Sequence, residues 1–347
     1  MSCVALDLGG RGAGAVVARA IVVVSMEHMA DESFKIFNLE IPLQSPFSTA
    51  TGTIESRSIV LVRVGPEPYG WGEAAPFPGQ DEPIEEVIEA AKAGEWTPTL
   101  SAAVDQATAD RDARVAGVWL GDEIGAAMSQ VPISLAVGLD DPMRGVMQAV
   151  DQGVSRFKLK IAPGRVGHVA RIRRRFPDAV IGVDANGSFG SDTIGEIAVL
   201  SDVGVAYIEQ PVVNLASMAV ERLHEMVEFP VFADESVRSV ADAERVLSLQ
   251  PVDGVVVKPG RLGWFGALAV RDLANAAGKL WRASGLLETG VGRAYTDILA
   301  ACPDAFISDV APAEWFLETD VTASRYRDGY VMVPSGPGLG INPTTLA

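Results

Sequence analysis

Eight short apolar runs, most of them rich in β-branched residues, recur along the chain from residue 131 onward. They cover residues 132–137, 156–161, 180–183, 205–208, 231–233, 254–257, 280–283 and 306–310, and a stretch suited to a helix follows each. Strands that alternate with helices predict parallel β-α-β units. Eight such units favour a closed (β/α)8 barrel of the TIM type, with an open doubly wound sheet as the alternative.

Five polar residues follow consecutive runs at nearly constant intervals. Lys160, Asp184, Glu209, Asp234 and Lys258 are 24, 25, 25 and 24 residues apart, which corresponds to one strand–helix unit. The carboxyl ends of barrel strands surround a single mouth, and active sites are built there. The spacing therefore predicts that three carboxylates and two lysines converge on one small volume.

The convergence of these groups indicates a particular chemistry. Three clustered carboxylates repel one another unless they are protonated or neutralised. A hard divalent cation such as Mg²⁺ removes that repulsion and also accepts substrate oxygens. A lysine beside a dication is favoured in its neutral form, which is a competent general base. The cluster predicts proton abstraction from carbon next to a carboxylate, with the metal stabilising an enediolate.

The composition excludes several function classes. Asp and Glu number 45 against 28 Lys and Arg, and the resulting charge of −17 would repel nucleic acid and anionic membranes. Two cysteines form no disulfide framework or zinc cluster, and three histidines leave acid–base chemistry mainly to carboxylates and lysines. No targeting or membrane-spanning segment is recognisable, so we expect a cytoplasmic protein that acts on a small molecule.

Residues 1–32 differ from the rest of the chain. A glycine-rich stretch is followed by an apolar run that is too short to span a bilayer. We interpret this segment as a disordered or non-native extension, and expect the folded protein to begin with the strand-like run after it.

The motifs around the five polar residues carry a specific resemblance. They read Lys-Leu-Lys at 158–160, Asp-Ala-Asn at 184–186, Glu-Gln-Pro at 209–211, Asp-Glu-Ser at 234–236 and Lys-Pro-Gly-Arg at 258–261. The segments 285–293 and 334–340 match the same pattern. As a set, these motifs resemble the muconate-lactonizing subgroup of the enolase superfamily, and in particular the o-succinylbenzoate synthase/N-succinylamino acid racemase family.

The resemblance implies a role for each matching residue. Asp184, Glu209 and Asp234 would bind Mg²⁺, for which Mn²⁺ could substitute. Lys160 would be the base on one face of the substrate, and Lys258 would lie on the other. Lys158 would be a cation that favours the neutral form of Lys160 and stabilises the enediolate. Asn186 and Glu235 would orient the metal ligands and the nearby lysine. The implied substrate contacts are Phe47, Arg261, Gly285, Leu286 and Leu287.

The resemblance also implies the domain organisation. Residues 33–130 would form an α+β capping domain, 131–315 a modified, enolase-like barrel with the catalytic site, and 316–347 a segment that returns to the cap. Within the cap, residues 45–52 would be a mobile specificity loop that carries Phe47, and residues 81–92 have a helical pattern.

Several activities share these motifs. The first implied activity is Mg²⁺-dependent syn-dehydration of a succinyl-hydroxycyclohexadiene carboxylate to o-succinylbenzoate, in menaquinone biosynthesis, and the second is racemisation of N-succinylamino acids. Dipeptide epimerisation is weakened because residues 308–311 contain no Asp-x-Asp. Muconate cycloisomerisation is less well matched, and a non-enzymatic binding barrel would be expected to lack part of the set. Relatives commonly assemble, so we expect a homo-oligomer.

Overall fold

The computed structural model describes residues 17–19, 34–50 and 52–343. The predicted extension over residues 1–32 lies outside the described residues, apart from the short strand β1 (Val17–Arg19), whose backbone pairs antiparallel with residues 38–40. The account below concerns the described ranges.

The first part of the chain is an antiparallel sheet covered by two helices. Its strands, in the spatial order β1-β2-β3-β4, and its helices are β2 (Phe34–Thr49), β3 (Gly52–Val64), β4 (Gly70–Ala74), α1 (Ile84–Ala93) and α2 (Pro98–Ala116). Helix α2 lies directly on β4. The approach is so close that a side chain at Gly70 or Gly72 would collide with the α2 backbone. The helix begins where the Thr97 hydroxyl accepts a hydrogen bond from Leu100 N.

Two predicted boundaries in this region are corrected by the structure. The segment 45–52, predicted as a mobile loop, is mostly strand, because β2 continues to Thr49 and pairs with β3 up to Gly52. A register shift between Pro42 and Phe47 lets the two strands continue as one long hairpin. The helix predicted over 81–92 begins only at Ile84, since the preceding Pro83 has an extended backbone.

The second part of the chain alternates strands and helices around a curled parallel sheet. Within the described residues its strands are β6 (Ser134–Val137), β7 (Arg156–Lys160), β8 (Val180–Asp184), β9 (Tyr207–Glu209), β10 (Val231–Ala233), β11 (Gly254–Val257) and β12 (Leu280–Ala283), in that spatial order. The helices that follow them are α4 (Pro142–Val150), α5 (Gly167–Arg175), a 3-10 helix (Ile194–Leu200), α6 (Met218–Met226), α7 (Val240–Leu247), α8 (Pro259–Ala276) and α9 (Gly290–Ala300).

The eighth predicted strand, 306–310, is not regular, yet it closes the barrel. On one side Phe306 N donates to Trp281 O at 2.9 Å and Asp309 N donates to Ala283 O at 2.8 Å. On the other side Ser134 N donates to Val310 O at 3.0 Å. The strand is interrupted because the hydroxyl of Ser308, not a backbone carbonyl, accepts the hydrogen bond from Ala283 N. The predicted fold, a modified (β/α)8 barrel with an α+β cap, is thus confirmed.

The remaining elements connect the barrel to the cap. They are α3 (Leu120–Ile124), β5 (Gln130–Pro132), a 3-10 helix (Ala313–Trp315), β13 (Tyr326–Arg327) and β14 (Tyr330–Met332). The tail returns to the cap where Leu339 N donates to the buried Asp110 carboxylate, at 2.6 Å, and Trp71 N donates to the same group. This arrangement holds the cap over the carboxyl ends of the barrel strands.

Candidate active site

Strand register sets the level of the polar residues at the barrel mouth. Lys160 is paired with Asp184 between β7 and β8, and Asp184 is paired with Glu209 between β8 and β9. Asp234 directly follows the last residue of β10, and Lys258 directly follows the last residue of β11. The parallel ladder therefore brings these residues to one end of the barrel, as their spacing predicts.

The three acids form a compact oxygen cluster. Asp184, Glu209 and Asp234 are at most 2% exposed, and one carboxylate oxygen of each lies within 4.8 Å of the others. Buried carboxylates at this separation are stable only with compensating positive charge. A set of hard oxygen donors suits Mg²⁺ better than a soft metal. The residues present therefore fit a divalent cation.

Each acid also contacts a cationic side chain. Lys160 Nζ is 2.7 Å from Asp184 Oδ2, and Lys258 Nζ is 2.7 Å from Asp234 Oδ1. Glu209 is paired with Lys158, at 2.9 Å, and with the guanidinium of Arg282. The lysines therefore approach the acid cluster from β7 on one side and from the end of β11 on the other.

The electrostatics of the cluster favour charged side chains. Burial opposes the charge of Lys158, but Asp309 and Asp184 outweigh it and raise the Lys158 pKa above its ordinary value. Burial likewise opposes the charge of Asp184, and Lys160 and Lys158 together lower its pKa. Lys158 is accordingly a fixed cation beside Lys160.

Hydrogen bonds hold Lys160 in place. The Asn186 side chain accepts from Lys160 Nζ at 2.9 Å and donates to Glu235 Oε1 at 2.8 Å. Asn186 has φ 44°, a left-handed conformation that asparagine tolerates better than most residues. Burial and the neighbouring Asp234 and Asp184 raise the pKa of Glu235. Asn186 and Glu235 thus form a hydrogen-bonded chain that ends at Lys160.

A cavity lies between the mouth and the cap. Lys160 and Lys258 both line it, and from the cap side Phe47 and Phe77 contribute apolar walls. The predicted contacts Gly285, Leu286 and Leu287 also line it. Phe47 is half-buried and packs edge-on against Phe316, with the ring centroids 6.1 Å apart. The cavity combines charged groups at one end with apolar walls, as small-molecule sites do.

Arg261 does not line the cavity, although the sequence suggests a substrate contact. Its guanidinium is 3.1 Å from Asp81 Oδ2 and donates to Gln80 Oε1 at 3.0 Å. The capping segment supplies both acceptors, so Arg261 joins the barrel to the cap beside Asp234.

Three residues around the site have no role in the sequence-based predictions. Asp309 lies 2.6 Å from Lys158 and lines the cavity, and Arg282 pairs with Glu209 beneath it. Arg293, on α9, also lines the cavity. Asp309 had a signal, since it follows Lys258 by 51 residues, or two barrel units. The other two have no such periodic signal.

Comparison with known proteins supports this architecture. Residues 143–346 match the family described as enolase C-terminal domain-like. The chain is 31% identical over 341 residues to an N-succinylamino acid racemase of Amycolatopsis, covering 88% of this chain and 93% of that protein. It is 28% identical to an o-succinylbenzoate synthase of Geobacillus stearothermophilus, covering 87% and 91%.

A solved structure shows the same fold. An enolase superfamily member from Listeria innocua superposes with a TM-score of 0.79 at 25% identity, over 90% of this chain and 94% of that one. Within the described residues, none of the helices has the length and apolarity needed to cross a membrane. From the matches in sequence and in fold, the chain belongs to the enolase superfamily, in its muconate-lactonizing subgroup and its o-succinylbenzoate synthase/N-succinylamino acid racemase family.

Proposed function

We propose that the protein is an o-succinylbenzoate synthase, which dehydrates a succinyl-hydroxycyclohexadiene carboxylate in menaquinone biosynthesis. The observation that carries the proposal is the placement of Lys160 and Lys258 in one cavity, each within 2.7 Å of a different acid of the oxygen cluster. This arrangement provides a base on one face of a bound ring and a cation on the other.

Asp184, Glu209 and Asp234 would hold Mg²⁺, with Mn²⁺ able to substitute. When bound there, the ion supplies a Lewis acid that polarises the substrate carboxylate and acidifies the adjacent carbon. In the structure Lys160 and Lys258 neutralise part of the charge of Asp184 and Asp234, a role that a bound cation would share.

Lys160 performs the proton transfers in this proposal. Its neutral amine removes the proton from the ring carbon next to the carboxylate, and the electron pair of that C–H bond passes into the enediolate. The bond to the hydroxyl on the neighbouring ring carbon then breaks. The Lys160 ammonium returns its proton to this oxygen, so that water leaves and the ring becomes aromatic. One residue on one face thus serves as base and then as acid.

The other two lysines stabilise charge. Lys158 stays protonated because Asp309, Asp184 and Glu209 surround it, and it faces the negative charge that develops on the carboxylate. Lys258 lies across the cavity as a cation over the opposite ring face. Neither residue has to transfer a proton in the dehydration.

N-Succinylamino acid racemisation is the second candidate. It is favoured by the 31% identity to a racemase of Amycolatopsis and by the same pair of lysines. In that reaction Lys160 and Lys258 would each exchange a proton with one α-carbon, from opposite faces. Dipeptide epimerisation has less support, because the Asp309 carboxylate is already paired with Lys158 and is not free for a substrate ammonium group.

The two candidates are separated by supplying both substrates to the Mg²⁺-loaded enzyme and comparing kcat/KM. We expect dehydration to exceed racemisation of N-succinylamino acids. Faster racemisation by several orders of magnitude would replace the first candidate by the second. Loss of both activities in the presence of a chelator would support the metal requirement, whereas turnover that survives chelation would contradict it.

A further inference from the structure

Arg293 is a buried cation that the proposed reaction does not use. It lies in the first turn of α9, is 5% exposed, and lines the cavity that contains Lys160 and Lys258. Among the residues that the structure describes, its side chain has no hydrogen-bond acceptor, and Nε is buried without a partner. A buried guanidinium in this condition carries a large desolvation cost.

The surroundings of Arg293 leave its charge incompletely paired. The nearest carboxylate is that of Glu288, whose Oε2 lies 3.7 Å from Arg293 Nε, beyond hydrogen-bond distance. The guanidinium carbon lies 5.3 Å from the centre of the Phe316 ring, which in turn packs on Phe47. Arg293 is therefore held against the aromatic wall of the cavity and contacts Glu288 only loosely.

The nearby acids do not remove this excess of positive charge. Burial, with a contribution from Glu288, raises the pKa of Glu73 to about 8, and both Glu73 oxygens already accept hydrogen bonds from Thr289 and Gly292. Arg57, whose charge also acts on Glu288 and Glu73, keeps its proton, because burial lowers its pKa only to about 10. The charge of Arg293 also acts on Asp297 and Asp309, but each of these acids is already paired with another cation, Arg325 and Lys158 respectively.

Glycine at position 285 brings the loop backbone close to this pair. A side chain there would collide with Glu288, and its first carbon would lie 3.3 Å from Arg293 Nη1. The Gly285 segment itself lines the cavity. The Nη1 end of the guanidinium therefore lies next to the cavity wall rather than deep in the barrel.

We propose that Arg293 binds the second carboxylate of the substrate, the one remote from the reacting carbon, and so selects dicarboxylates with a succinyl side chain. This inference rests on the proposed function for the orientation of the substrate. The oxygen cluster and the lysines hold the carboxylate next to the reacting carbon, and the guanidinium supplies parallel N–H donors that match the second one. The aromatic wall of Phe47 and Phe316 covers the intervening methylenes.

The experiment measures binding by calorimetry in the presence of Mg²⁺, and does not depend on turnover. The ligands are o-succinylbenzoate and 2-butanoylbenzoate, which has a methyl group in place of the remote carboxylate. We expect the wild type to bind the dicarboxylate roughly 10- to 100-fold more tightly, as for a charged hydrogen bond. Arg293→Met should reduce this ratio to near one, and Arg293→Lys should retain part of it.

Arg325→Met is the matched control. Arg325 is a half-buried arginine that is paired with Asp297 at 2.6 Å; it lines a small neighbouring cavity, which Arg293 also lines, but not the active-site cavity. This variant should keep the wild-type ratio. Each ratio compares the affinities of two ligands for the same protein, so a general loss of affinity does not change it. Thermal melting identifies any variant that fails to fold. If Arg293→Met does not fold, the ratio measured with Arg293→Lys tests the proposal instead.

The outcomes separate this inference from the proposed function. An equal affinity of the wild type for both ligands, or a failure to bind either, would overturn the role of Arg293. The same holds if Arg293→Met weakens both ligands equally. A ratio that collapses in Arg293→Met while the wild type dehydrates nothing would support the carboxylate site and refute the synthase activity.

Discussion

Two buried ionic clusters in this protein are built in different ways. The mouth cluster consists of Asp184, Glu209, Asp234 and the lysines that contact them. The interface cluster joins the cap to the barrel, where Glu73 of β4 accepts hydrogen bonds from Thr289 N, Thr289 Oγ1 and Gly292 N. The first is assembled by neighbouring barrel strands, and the second by residues more than 200 positions apart.

The difference lies in which partners satisfy the acids. In the mouth cluster every acid contacts a lysine side chain, and the three carboxylates also fit a divalent cation. In the interface cluster the backbone N–H groups of Thr289 and Gly292 donate to Glu73, so its partners are fixed by the position of the chain. Arg57 also donates across the interface, to Leu286 O at 3.1 Å. We infer that the mouth cluster serves binding and chemistry, whereas the interface cluster fixes the cap above the cavity.

The largest effect is expected from a change in the mouth cluster. Glu209→Gln removes a charge from the oxygen cluster and leaves Arg282 and Lys158 facing a neutral amide. We expect kcat/KM to fall by about 10³-fold or more, since charge stabilisation in a buried site is worth at least that much. Calorimetric titration with Mg²⁺ should show weaker binding. Glu40→Gln, on the exposed face of β2, is the control and should change neither kcat/KM nor the affinity for Mg²⁺. An unchanged Mg²⁺ affinity in Glu209→Gln would contradict the proposal that Glu209 binds the metal.

A change in the interface cluster should affect stability instead. Glu73→Ala leaves the three buried donors of Thr289 and Gly292 without an acceptor, and we expect the free energy of unfolding to fall by about 3 kcal/mol. Urea unfolding measures this loss. Glu40→Ala provides the comparison, because Glu40 also accepts from hydroxyl groups but is exposed. If Glu73→Ala weakened Mg²⁺ binding as strongly as it lowered stability, the two clusters would not be separate.

The last effect appears only at acidic pH and concerns a buried histidine outside both clusters. Burial, reinforced by Arg165 and Arg171, lowers the pKa of His168 to about 4 from 6.5. Between these values the unfolded chain binds a proton that the folded chain does not, so the free energy of unfolding falls as the pH is lowered from 6.5 to 4. His168→Gln should remove this part of the slope. Urea unfolding at several pH values would refute the account if wild type and variant had parallel slopes.

The barrel was largely predictable because its strands repeat. The runs at 231–233, 254–257 and 280–283 coincide with β10, β11 and β12, since buried parallel strands are short apolar runs between helices. The same repeat predicted the meeting of the five polar residues at the mouth. The eighth strand is less regular than predicted, because the Ser308 hydroxyl accepts a hydrogen bond that a backbone carbonyl accepts in a regular strand. A pattern of apolar residues cannot predict such a contact.

Contacts between cap and barrel could not be predicted in this way. Arg261 looks like a substrate contact within its motif, and only the fold shows that Asp81 and Gln80 occupy its guanidinium. Arg293 belongs to a motif that the sequence analysis recognised, yet its place in the cavity depends on the packing of α9. Tertiary contacts of this kind carry no periodic signal along the chain.

The central claim is that Lys160 removes the substrate proton beside the oxygen cluster. The most direct test follows the disappearance of the cyclohexadiene substrate with Mg²⁺-loaded wild type and Lys160→Ala, after titration has shown that both bind Mg²⁺. We predict turnover by the wild type and a loss of about 10³-fold in Lys160→Ala with Mg²⁺ binding retained. Full activity of Lys160→Ala would contradict the account.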